Sequence, residues 1–75
     1  MIKKTAMEVF MEFNEERAGM ISSAIGLAVV NLVAFGVPIN RDNLVDELER
    51  VRRETGNVIG KGVNRDAAEI VRKGI

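Results

Sequence analysis

The stretch GNVIGKG, Gly56 to Gly62, comes nearest to a recognisable chemistry. Glycines beside a lysine can wrap a phosphate, with backbone N–H groups cradling it and the ammonium neutralising it. The spacing does not fit. Three residues separate Gly56 from Gly60 where the phosphate loop places four, and Gly62 stands where a Ser or Thr would hold magnesium. These glycines read as turn residues.

The acids Glu12, Glu15, Glu16, Asp42, Asp46, Glu47 and Glu49 are the next candidates. Acid–base catalysis needs carboxylates whose pKa values are shifted by burial or by a close like charge. These are expected on exposed helix faces, among arginines. Neither cysteine nor histidine occurs. That removes thiol chemistry, disulfides, the usual zinc ligands and the usual general base at neutral pH. The expectation is a protein that is not an enzyme and carries no metal or cofactor.

Arg50, Arg52, Arg53, Arg65, Arg72 and Lys73 could meet a partner protein or DNA, most simply as a patch assembled in a dimer. Lysine plus arginine equals aspartate plus glutamate at 11 each, so no strongly basic surface is expected overall.

Helices must position these groups. Ile2, Ala6, Val9, Phe10 and Phe13 recur at helical spacing, with Lys4, Glu8, Glu12 and Glu15 opposite. That amphipathic face reads as the cover of the chain's own core rather than as a docking helix. Residues 18–39 carry no charge at all. Such a run could span a bilayer. Ser22, Ser23 and Asn31 interrupt it, Gly36 and Pro38 break it, and positive charge gathers on neither flank. It therefore reads as the buried central helix of a soluble bundle, and the chain as cytoplasmic. Gly19, Ser22, Ser23 and Gly26 share one side of this helix as small-xxx-small pairs that let two backbones approach closely. With Val30 and Val33 they make a candidate dimer seam. A domain of this size is marginal alone, and oligomerisation is the stabilising device left to it.

The joint FGVPIN is a stop joined directly to a start. Gly36 suits the left-handed helix end and Pro38 cannot continue the helix. Asn40 caps the next helix, with Ile39 and Leu44 placed as a hydrophobic staple. Residues 41–55 give the clearest helix, striped by Leu44, Leu48 and Val51. Asp46–Arg50 and Glu49–Arg53 stand at favourable i,i+4 spacing. Toward the end, Asn64 is expected to cap a firm helix over 64–73 after a broken or loosely wound start near Asn57, because each internal glycine costs about 1 kcal/mol. The joint does not match a DNA-reading helix-turn-helix. Aligned on Gly36, Leu32 falls where a small residue belongs and Asp42 where a buried aliphatic belongs.

The central residues carry a resemblance. Gly26, Ala28, Val29, Asn31 and Leu32, then Gly36, Ile39, Asn40, Asn43, Leu44 and Leu48, with AAEIV at Ala67 to Val71, resemble the small biofilm and acid-resistance proteins of the YmgB/AriR family, also described as two-component-system connector proteins. The resemblance implies an all-α homodimer with central helices paired across the interface. It implies a regulator that modulates a response regulator of the Rcs type by protein contact, in biofilm and acid-stress control, with DNA binding also attributed to the family.

Together these readings predict one all-α domain over residues 1–75. It is a three-helix chain with helices near 3–17 and 18–35, separate or continuous, then 41–55 and 64–73. It pairs as a homodimer around a buried apolar central helix and acts by protein contact. The alternatives are a DNA-binding or nucleoid-associated regulator and a single-pass membrane protein.

Overall fold

The computed structural model describes residues 4–74. Among these the chain is all-helical, with four helices and no strand: α1 Ala6–Met11, α2 Glu15–Ala34, α3 Arg41–Glu54 and α4 Val58–Lys73. Four helices, rather than three, arise from an additional break after α1. Ile2, part of the first amphipathic face, lies outside the described residues.

Each helix starts on a side chain that accepts from its first turn. Thr5 Oγ1 accepts from the Glu8 N–H at 3.2 Å, and Asn14 Oδ1 from Arg17 N–H at 2.7 Å. Asn40 Oδ1 accepts from Asn43 N–H at 2.8 Å, and Asn57 Oδ1 from Ile59 N–H at 2.8 Å. Initial N–H groups have no partner inside a helix, so these caps decide where each one begins. Asn14 is the reason the first helix does not run on to residue 17. It caps α2, whose first turn then holds Glu15 and Glu16, favourably placed at the positive end of the helix dipole.

At the joint, Gly36 takes φ +68°. Its N–H donates to the Val33 carbonyl and that of Val37 to the Leu32 carbonyl, the paired closure of a Schellman end. The Asn43 side-chain amide donates to the Pro38 carbonyl at 2.8 Å and ties the joint to α3.

The last helix begins earlier than 64. Asn57, not Asn64, is its cap, and both internal glycines are helical. Asn64 is buried within it, its amide donating to the Gly60 carbonyl one turn back at 2.8 Å. Packing outweighs the glycine cost here. A β-carbon at Gly62 would lie 2.9 Å from Arg17 Nη2, so α4 has a side chain from α2 lying across the place where its own would be.

α3 and α4 form the most extensive pair, α2 packs against both, and α1 lies chiefly on α4. The core is Ile21, Ala28 and Leu32 from α2, Val45 and Leu48 from α3, and Val63, Ala67 and Ala68 from α4. Ala67 and Ala68 bring α4 close to its neighbours; Phe10 and Phe13 close the core from the N-terminal side. Only three residues of α2 are buried. The expected buried central helix is thus not what a single chain presents. The slab is 38 × 27 × 18 Å, and α3 and α4 packed along one side of α2 leave its other side bare.

Leu48 is fully buried at the centre of this core. Leu48→Ala should cost about 2–5 kcal/mol, as much as a core of this size supplies. A urea titration followed by circular dichroism checks it; a loss under about 1 kcal/mol would contradict the central place given to this side chain.

Candidate functional site

The outer face of α2 is the feature with no role inside the chain. Gly19, Ser22, Ser23, Gly26, Val30 and Val33, the residues of the expected seam, are all exposed. Val30 and Val33 are 60% and 64% exposed, and Leu27 beside them 56%. The joint continues this with exposed Phe35, Val37 and Ile39. No charged residue lies between Ala18 and Ile39. At Gly19 and Gly26 a β-carbon would meet nothing within 4 Å. Nothing in this chain therefore needs those two positions to be small, although a glycine in a helix interior costs about 1 kcal/mol against alanine.

The inner side of the same helix carries a polar tie to α3. Asn31 donates its amide to Glu47 Oε2 at 2.9 Å, joining α2 to α3. Glu47, expected on an exposed face, is only 7% exposed. Arg50 makes this tolerable, with Nε donating to Glu47 Oε1 at 2.9 Å and Nη2 to Oε2. A buried carboxylate is retained when it is paired and hydrogen-bonded. The Arg50 guanidinium holds the Glu47 carboxyl below its usual value of 4.5, with Asn31 adding to the effect and burial opposing it. The ion pairs along α3 also depart from the expected spacing. Arg50 turns to Glu47 and Glu54 rather than to Asp46, and Glu49 engages Arg52 and Arg72 rather than Arg53.

The six candidate contact residues do not form one patch. Arg50 and Arg53 line a cleft with Asp46, Glu47 and Glu49. Arg52 and Arg65 line another, and Arg72 and Lys73 a third with Lys4 and Thr5. All of the six but Arg53 engage a carboxylate of the same chain. Two cations absent from the expected set, Arg17 and Lys61, join Arg52 and Arg65. The signal for Arg17 lay in Gly62 and Asp66, one helical turn apart: Arg17 crosses the glycine and its Nη2 donates to Asp66 Oδ2 at 2.8 Å. Among the described residues no group of three or more acids could hold a metal ion.

Comparison with protein-family models, with curated proteins and with solved structures finds no significant match.

The Glu47 arrangement predicts a pH dependence. Its folded-state pKa lies below the unfolded one, so its contribution is fully present above about 4.5 and is lost as pH falls through the folded value. Glu47→Gln should therefore lose stability at neutral pH, and its deficit against the natural protein should shrink as the solution is acidified. Urea midpoints of both proteins at neutral and acidic pH measure this. A deficit that stays constant would show that the charge of Glu47 contributes nothing.

Proposed function

We propose that this protein is a non-enzymatic regulator that works as a homodimer, paired through the outer face of α2, and acts by binding another protein in the cytoplasm. The observation that carries the reading is the pairing of exposed Val30 and Val33 with glycines that no intrachain contact requires. Monomeric proteins rarely leave large contiguous apolar faces in water. A second copy set on this face by two-fold symmetry meets the same patch, so one helix supplies both halves of the seam. Gly19, Ser22, Ser23 and Gly26 let the backbones approach, and Val30 and Val33 add apolar area at the wider end. On the resemblance to the YmgB/AriR family, the partner class is a two-component response regulator of the Rcs type, and the setting is biofilm and acid-stress control.

One observation favours a second reading. α2 is long and apolar enough to cross a membrane, with 17% of the relevant window buried. The Asn31–Glu47 bond weighs against it. Inserting α2 would either break that tie or carry Glu47 and Arg50 toward the bilayer, where charged groups are costly. The DNA-binding alternative draws less support, because its arginines are spread over three clefts and mostly ion-paired within the chain.

Seam variants test the dimer. Ser22→Leu or Gly26→Leu should force the two backbones apart by steric clash and give a smaller sedimenting species in detergent-free buffer. Helix content should be retained, because both positions face outward in the single chain. Unchanged sedimentation of both variants would remove α2 as the interface. Protein that pellets unless detergent is present would favour the membrane reading.

A further inference from the structure

We propose that the pocket where the start of α2, the end of α3 and the start of α4 meet is a docking site for an acidic, apolar-flanked segment of a partner protein. Arg17, Arg52, Lys61 and Arg65 line it around Gly62, and no carboxylate is among its lining residues. Its volume is about 460 Å³, enough for side chains to enter.

The positive charge here is under-neutralised. Asp66 serves both Arg17 and Arg65, at 2.8 and 3.3 Å. Glu49 serves Arg52 but also Arg72 outside the pocket. Lys61 has no carboxylate partner among the described residues; its Nζ donates to the Arg52 carbonyl at 3.1 Å. Four cations thus share two carboxylates, one of them also claimed elsewhere, in a chain whose net charge is zero. An incoming carboxylate would find N–H donors already gathered, with Arg17 fixed by its fit over Gly62 and its bond to Asp66.

The rim determines which kind of anion fits. Val58 and Ile59, on the first turn of α4, are 81% and 59% exposed and line the same pocket. Met20 adjoins them across Arg17 and Ile59, in a neighbouring cleft that also holds Glu16. A nucleic-acid backbone would use the cations and leave these apolar side chains wet. A protein segment with acids beside leucine-like residues covers both. None of the seam residues lines the pocket, so a dimer formed through α2 presents two such sites.

This inference rests on the reading that the protein acts by binding a protein partner, and the test keeps it separate from the dimer. Fluorescence anisotropy is measured with a labelled synthetic peptide of repeated Leu-Glu-Glu-Leu, the same peptide with Gln for Glu, and a labelled DNA duplex. The full chain and its Lys61→Glu, Lys61→Ala and Gly62→Ala variants are compared, with sedimentation recorded in parallel. The acidic peptide should bind, and the Gln peptide should bind more weakly by about tenfold or more. Lys61→Glu should weaken acidic-peptide binding by a similar factor and Lys61→Ala by less. Gly62→Ala should weaken it too, since the new methyl must displace Arg17. None of the three should change helix content or the sedimenting species. Binding that is the same in Lys61→Glu, absence of peptide binding, or tighter binding of the duplex sensitive to the same variants would each overturn the proposal. A protein that sediments as a monomer yet binds the peptide through Lys61 would sink the dimer and leave this site standing.

Discussion

The structure turns on a mismatch between one helix and the chain available to cover it. α2 runs 20 residues, and its stretch from Ala18 onward carries no charge. The remaining helices have 6, 14 and 16 residues; α3 and α4 pack to one side of it, and α1 lies on α4. A chain of this length has too little surface to wrap such a helix completely. The consequences are visible throughout. The core is built on one stripe of α2, at Ile21, Ala28 and Leu32. Ala67 and Ala68 let α4 lie close enough to share that stripe with α3. The outer side left over is apolar, small at one end and branched at the other. It is this remainder, not a cluster of reactive groups, that supports a protein acting by association.

Charge is sorted around this frame rather than merely balanced. α3 and α4 carry their arginines beside carboxylates, so most positive charge is neutralised within the chain. Glu47 is the buried member of that network, and it pins the polar middle of α2 to α3 through Asn31. The pocket around Gly62 is a place where four cations share two carboxylates. Its cations and its apolar rim lie apart from the exposed residues Gly19, Ser22, Ser23, Gly26, Val30 and Val33 of α2.

Much of the architecture could be read directly from residue types. Asn40 as a cap and Gly36 as a left-handed stop are local chemistry, and local chemistry needs no knowledge of the fold. The first break was hidden because Phe10 and Phe13 keep helical spacing across it. Asn14 with two glutamates after it was nonetheless a readable start signal. Asn57 and Asn64 offered two competing caps. Asn57 is the one used, accepting from Ile59 and Gly60 N–H, while Arg17, from a distant part of the chain, lies over the space that Gly62 leaves. The burial of Glu47 was illegible for a similar reason. Its neighbours along α3 look like any solvated helix, and only the approach of α2 closes over it. The small side chains at Gly19, Ser22, Ser23 and Gly26 are legible as a pattern, and their exposure on the outer face is a property of the tertiary packing.

The central claim is that the outer face of α2 pairs two copies of this chain in solution. Sedimentation equilibrium of the natural protein in detergent-free buffer, over a range of micromolar concentrations, tests it most directly. The account predicts a species of twice the 8.3 kDa chain mass that gives way to single-chain mass only on dilution. A species of single-chain mass across the whole of that range would contradict it.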